Sequence, residues 1–238
     1  MKLDILAFAA HPDDVELAAS GTVAAHLAQG YTVGIVDLTR GELGTRGNAE
    51  IRAQESALAS AVLGIQVREN LGMRDGFFTV DETHSLKVIE AIRAYQPDIV
   101  LCNAITDRHI DHGRGAKLVA EACFLAGLRK IETERHGVKQ DAWRPRAIYH
   151  YIQDYYSKPD IIVDITPYFE TKMKSIQAYS SQFYSPGTHE PETPISGKDF
   201  LDFIEARARE FGRLIGVKYG EGFNTPRPPG TANLMQLK

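Results

Sequence analysis

Two short runs of this chain combine acid and imidazole at spacings that suit a bound metal ion: His11-Pro12-Asp13-Asp14 and Asp107-Arg108-His109-Ile110-Asp111-His112. His11 and Asp14 are three apart at a helix start that Pro12 is suited to initiate. Their side chains therefore share a face and can converge on one ion while Asp13 points elsewhere. A third ligand from the second run, His112 by preference, completes a set of two imidazoles and one carboxylate. Three protein ligands plus water is the pattern of a catalytic zinc site, whereas structural zinc sites are closed by four. Zinc in such a site lowers the pKa of its water to about 7 and polarises a carbonyl oxygen. Asp13, adjacent but unbound, can take the water's proton. His109 can donate a proton to a leaving amine, with Asp111 or Asp107 orienting it. The competing reading makes these residues loop polar groups and helix caps, and for Asp13 alone a cap is the simpler assignment. Two such runs at the ends of two strands fit a metal site better.

The elements that must position these runs alternate along the chain. Strand patterns cover Leu3–Ala10, Tyr31–Leu38, Val67–Leu71, Asp98–Cys102, Ala147–Gln153 and Ile161–Ile165. Helix patterns cover Val15–Gln29, a stretch capped by Asn48 and running to about Leu63, Ser85–Tyr95, Gly113–Leu128, Tyr168–Tyr179 and Phe200–Ile215. Near-continuous apolar strands in βαβα order predict an α/β, Rossmann-like, mostly parallel sheet with helices on both faces. Ligands of such sheets bind outside the carboxyl ends of the strands. The two acid–imidazole runs follow two of those ends, and no G-x-G-x-x-G stands after the first strand. No linker appears, so residues 1–224 are expected to form one domain, followed by an irregular tail from Thr225 to Lys238. That tail either packs on a neighbouring copy or is solvated. The stretch Ser180–Lys198, with three prolines and two glycines, reads as one long loop.

Composition narrows the function classes. The 238 residues carry a formal net charge of −4, with 43% hydrophobic and 24% charged residues. No dense basic run is present, which argues against nucleic acid or an anionic membrane as partner. No apolar run is long enough to span a bilayer. Leu3–Ala10 lacks a small-residue cleavage site and leads straight into His11, so it reads as a buried strand rather than a leader. Cys102 and Cys123 show no pairing pattern, and a reduced, cytoplasmic setting is expected.

With both runs in view, the chain resembles the zinc N-deacetylases of the N-acetylglucosaminyl-phosphatidylinositol deacetylase (LmbE-like) family over nearly its whole length. Thr39-Arg40-Gly41-Glu42-Leu43-Gly44, Leu71-Gly72-Met73-Arg74-Asp75-Gly76 and Glu205-Ala206-Arg207-Ala208-Arg209 resemble the bacillithiol biosynthesis deacetylases in particular. The resemblance implies one zinc held by His11, Asp14 and His112, with Asp13 as general base. It implies hydrolysis of N-acetylglucosaminyl malate to glucosaminyl malate and acetate, or the same chemistry on an inositol conjugate or a chitooligosaccharide. It also implies a homotrimer or homohexamer. Some relatives place an oxyanion-steadying tyrosine near the end of the long loop. Phe200 stands at the aligned position here, so zinc and His109 carry that role alone or Tyr184 substitutes.

Residues of second rank follow. Arg52 is expected either to pair with Glu55 on its helix or, with the resemblance added, to clamp a substrate carboxylate bidentately. Arg46 and Arg146 are weaker candidates for the same task and are expected to face solvent. Glu42 and Asp75 can bind sugar hydroxyls or satisfy local backbone amides. The glycine-rich loop lacks the lysine of a phosphate-binding loop. Cys102 is expected to pack rather than to form a Cys–His nucleophile with His109. His26, His84, His136, His150 and His189 have no partner spacing and are expected to be structural or exposed. From other classes, a nucleotide-binding Rossmann-like protein lacks its glycine fingerprint, and a metal-storage protein has no need of a free acid and base beside the ion.

Overall fold

The structure, a computed structural model, describes residues 1–187 and 190–236. His189 of the long loop and the last two residues of the tail lie outside them. In chain order the first half comprises β1 (Ile5–Ala9), α1 (Asp14–Ala28), β2 (Val33–Thr39), α2 (Ala49–Leu63), β3 (Val67–Met73), α3 (Glu82–Tyr95), β4 (Ile99–Cys102) and α4 (Ile110–Ala126). A two-stranded ribbon, β5 (Glu134–Arg135) and β6 (Val138–Lys139), leads into β7 (Ala147–Tyr151) and β8 (Ile161–Asp164). Then come a 3-10 turn at Thr166–Tyr168, α5 (Phe169–Gln177), α6 (Lys198–Leu214), β9 (Gly220–Asn224) and a 3-10 turn in the tail at Leu234–Gln236.

Seven strands form one sheet in the order β3-β2-β1-β4-β7-β9-β8. β3, β2, β1, β4 and β7 run parallel, with Ile5 opposite both Val33 and Ile99. From β1 the chain builds outward through β2 and β3, then crosses back to β4 on the other side. This reversal opens a crevice at the carboxyl ends of β1 and β4, where both acid–imidazole runs leave the sheet.

Alternation along the strands explains the two-sided core. Leu6, Phe8, Val36, Leu38, Val100 and Cys102 point to one face, where α3 and α4 cover them with Val88, Ile92, Leu118 and Val119. Ile5, Ala7, Ala9, Ile35 and Leu101 point to the other face and pack on Val15, Ala19 and Val23 of α1. Burial on both faces is what makes these strands read as unbroken apolar runs.

The ribbon and β9 are the elements absent from the sequence expectation. β9 reads Gly220-Glu221-Gly222-Phe223-Asn224, with no apolar run to reveal it, and runs antiparallel to both β7 and β8. Gly222 is required there because a Cβ would stand 2.9 Å from the Phe211 ring of α6. Glu221 is buried against the middle of α1, accepting from the backbone N–H groups of Gly21 and Thr22 and pairing with Lys172 at 2.7 Å. α4 starts at Ile110, three residues before the expected Gly113, so the second run itself forms the helix start. Among the described residues no helix is long and apolar enough to cross a membrane.

Candidate active site

The turn after β1 delivers the first run. Asp13 stands at the position before α1 with φ 123°, a left-handed backbone that costs a non-glycine residue free energy and is found mainly at functional sites. Its carboxylate makes no helix-capping hydrogen bond, which removes the simpler reading of Asp13. Instead it accepts from the buried Arg52 guanidinium at 2.6 Å. Asp14 turns the other way: Oδ2 accepts from the His11 backbone N–H at 2.9 Å, and Oδ1 lies 3.1 Å from His112 Nε2.

Three imidazoles face one another across the crevice. The His11 ring lies 4.5 Å from that of His109 and 5.6 Å from that of His112, centre to centre. His11 Nε2 is held by Asp75 at 3.1 Å and by Asp111 at 3.3 Å, while its Nδ1 faces Asp14 at 3.7 Å. His112 Nδ1 is held by Asp107 at 2.6 Å, leaving Nε2 toward Asp14. Two expectations are corrected here. Asp111 orients His11 and Asp107 orients His112; neither orients His109, whose Nδ1 accepts the Asp111 backbone N–H. Asp75, offered as a sugar ligand, is likewise spent on His11 and on the Leu43 N–H.

Electrostatics follow from this packing. Burial opposes charge on His11, but hydrogen bonds to Asp111 and Asp75 and the Asp14 charge outweigh it and lift the pKa to about 10. His112 rises to about 9 against the same burial, drawn up by Asp14 and Asp107. His109 moves down, through burial and then through repulsion from its two neighbours. Asp13 is raised to about 6 by burial and by the adjacent Asp14, with Arg52 acting in the opposite direction. Protons on His11 and His112 thus balance carboxylates that are arranged for a cation. Among the described residues, His11, His109 and His112 form one compact donor group and His11, Asp75 and Asp111 another. Asp14 touches the first group between His11 and His112. Each of these two imidazoles has its far nitrogen on a carboxylate, the arrangement that orients metal-binding histidines. The nitrogen and oxygen donors fit zinc.

The cavity over this cluster has a volume of about 390 Å³. Its lining includes the apolar Leu17, Ile195, Phe200, Phe203 and Ile204 together with Arg108 and His109. Phe200 therefore does stand at the cavity, stacked on Phe183. Tyr184 does not line it and is exposed, so it takes no place in the cluster.

The arginines and glutamates also differ from expectation. Arg52 donates to Asp13 and to the Pro12 carbonyl, while Glu55 accepts from Ser180 and Ser181; the helix pair is not made. Arg46 is buried, not solvent-facing, and ties the long loop down through the carbonyls of Glu190 and Pro191. Arg146 is exposed and enters β7 beside Asp98, at the sheet end opposite the site, and so cannot reach a substrate there. Glu42 accepts from the N–H groups of Arg40 and Asp75, the local backbone role. Cys102 meets His150 at 3.3 Å rather than His109, and burial pushes its thiol far up. Asn103 and Gln153, which touch Asp14, stand outside both acid–imidazole runs, and sequence spacing does not single them out. Their one signal in the sequence is position, since each ends or follows a predicted strand on the carboxyl side.

Residues 6–123, which include both runs, match the family model described as GlcNAc-PI de-N-acetylase. The conserved protein TT1542 from Thermus thermophilus superposes with a TM-score of 0.87 at 34% identity, covering 98% of both chains. Diacetylchitobiose deacetylase of Thermococcus kodakarensis is 26% identical over 92% of this chain and 81% of its own. A 4-oxalmesaconate hydratase of Pseudomonas putida is 27% identical over 74% of this chain and 73% of its own.

Proposed function

The chain belongs to the GlcNAc-PI de-N-acetylase family, and from that membership we propose that it is a zinc-dependent carbohydrate N-deacetylase. Its reaction is hydrolysis of the acetamide of an N-acetylglucosaminyl conjugate. The observation that carries the reading is the pairing of two carboxylate-anchored imidazoles around Asp14 with a separate buried acid, Asp13, beside them. A storage site has no use for that extra acid. The similarity to a diacetylchitobiose deacetylase supports the sugar class.

His11, Asp14 and His112 would hold the metal. Zinc, when bound, supplies Lewis acidity to the amide carbonyl and acidity to water. Asp13, raised toward neutrality, takes the proton of the attacking water as general base. Arg52 holds the Asp13 carboxylate in one orientation and keeps it from swinging onto the ligand set. His109, which lines the cavity, passes a proton to the departing sugar amine. Asp111 and Asp107 fix the tautomers of His11 and His112 through their far nitrogens.

For the aglycone we infer malate, on the motif resemblance of the glycine-rich loop, the Leu71–Gly76 turn and the Glu205–Arg209 stretch. With Arg52 engaged on Asp13, the other arginine lining the cavity among the described residues is Arg108, which pairs with Asp154. The hydratase relative favours a second reading, water addition to an unsaturated acid, since both reactions need an activated water. An amine-release assay of zinc-loaded protein on N-acetylglucosaminyl malate, diacetylchitobiose and free N-acetylglucosamine tests the proposal. Amine release from none of them, with hydration of an unsaturated dicarboxylate, would replace it.

A further inference from the structure

Asp14 is gripped more completely than either histidine. Its Oδ2 accepts from the His11 N–H at 2.9 Å and from Asn103 Nδ2 at 2.9 Å. Its Oδ1 accepts from Gln153 Nε2 at 3.1 Å. The two amides also bind each other, Asn103 Nδ2 donating to Gln153 Oε1 at 3.0 Å, while Asn103 Oδ1 accepts the Ala10 N–H at 2.9 Å. The Ala10 contact fixes which end of Asn103 is the donor, and that in turn fixes Gln153. An ionised carboxylate has about four acceptor positions. Three on Asp14 are filled by these donors, and the one left is on Oδ1, facing His112 Nε2 at 3.1 Å.

Gln153 is itself held from outside the cavity. Arg207 of α6 donates to the backbone carbonyls of Gln153 and Asp154, at 3.0 Å each. Its guanidinium is also stacked 5.0 Å from the Phe203 ring centre. The next residue along, Tyr155, donates its N–H to Asp107, which orients His112. The segment 153–155 therefore touches the supports of two of the three proposed ligands.

The geometry points to Gln153, locked by Asn103 and Arg207, as a positioning residue that leaves Asp14 a single free acceptor site directed at the metal. This inference rests on the metal-centre reading above. It is read from metal binding, not from turnover. Gln153→Met keeps the bulk and removes both amide contacts, and loss of a group that orients a metal ligand costs about 10–100-fold in metal affinity. Zinc affinity is measured by competition with a chromophoric chelator, the cobalt(II) visible spectrum reports the ligand set, and the melting temperature of metal-free protein reports the fold. The expected result is a zinc affinity about 10–100-fold weaker, an altered cobalt spectrum and metal-free protein that still melts in one cooperative transition, at a temperature lowered by the loss of the buried amide contacts. Should Gln153→Met not fold, Arg207→Lys carries the test, with a several-fold loss expected. Zinc affinity within twofold of wild type and an identical cobalt spectrum in the folded variant overturn the inference while leaving the deacetylase reading intact. Wild-type protein that binds neither zinc nor cobalt overturns both.

Discussion

Asp13 and Arg52 are 39 residues apart in sequence and form a buried pair at 2.6 Å. The cation placed by sequence on the substrate is in the structure the companion of the general-base candidate. Arg52→Ala should therefore slow every substrate by the same factor, because the loss acts on Asp13 and not on an aglycone. It should also destabilise the fold by about 3–5 kcal/mol, the cost of leaving a buried charge without its partner. Steady-state kcat/KM on the malate conjugate and on free N-acetylglucosamine, with a urea melt, checks both. A loss confined to the malate conjugate restores Arg52 as an aglycone clamp.

Asp13→Asn preserves the shape beside Arg52 and removes the proton acceptor. Zinc content is expected to stay at one ion per chain while turnover falls about 10²–10⁴-fold. Turnover near wild type in metal-replete Asp13→Asn protein would assign Asp13 a purely structural part.

Removal of metal should abolish amide hydrolysis and its return should restore it. His11→Ala and His112→Ala should each lose zinc, whereas His109→Ala should keep it, because only the first two rings have carboxylate-anchored far nitrogens. Elemental analysis after dialysis decides this. Zinc retained without His112 but lost without His109 would move the third ligand to His109.

Lys172 and Glu221 make a second buried pair, far from the chemistry but pressed on α1, which carries Asp14. Lys172→Met should cost about 3–5 kcal/mol, since it strands the Glu221 charge. The double variant Lys172→Met/Glu221→Gln should cost less than the single one. Urea unfolding of both proteins tests the ordering, and a double variant weaker than Lys172→Met contradicts it.

His150 gives a pH signature. Burial lowers its pKa, partly offset by the hydrogen bond from Nδ1–H to the Asn103 carbonyl. In the unfolded chain the imidazole takes up its proton at about pH 6.5. Its contribution to stability is therefore complete above that pH and declines as pH falls toward the lower folded-state pKa. His150→Gln should flatten the decline in unfolding free energy from about pH 7 to pH 5. An identical slope in wild type and variant would remove His150 as its source.

What the sequence determined by itself is what depends on neighbours along the chain. Apolar runs such as Leu3–Ala10 declare strands buried on both faces, and their alternation with helical periods orders the parallel half of the sheet. The spacing of His11 and Asp14 keeps them within one tight turn, although that turn precedes α1 and Asp14 accepts the His11 N–H there rather than sharing a helix face with it. The two runs lie at carboxyl ends because parallel strands put every following loop there. Tertiary structure decided which side chain each acid serves. Asp111 lies two residues from His109 yet holds His11, 100 residues away. Arg52 shares a helix with Glu55 yet holds Asp13, and Gln153 reaches Asp14 across 139 residues. A carboxylate in a crevice pairs with whatever donor the sheet order brings within about 3 Å, since an unpaired buried charge is costly, and sequence spacing carries no record of that order. β9 escaped detection for the same reason. Gly222 fits against Phe211, Gly220 against Ile162 and Gly212, and Glu221 against Lys172 and the N–H groups of Gly21 and Thr22, neighbours that exist once the chain has folded.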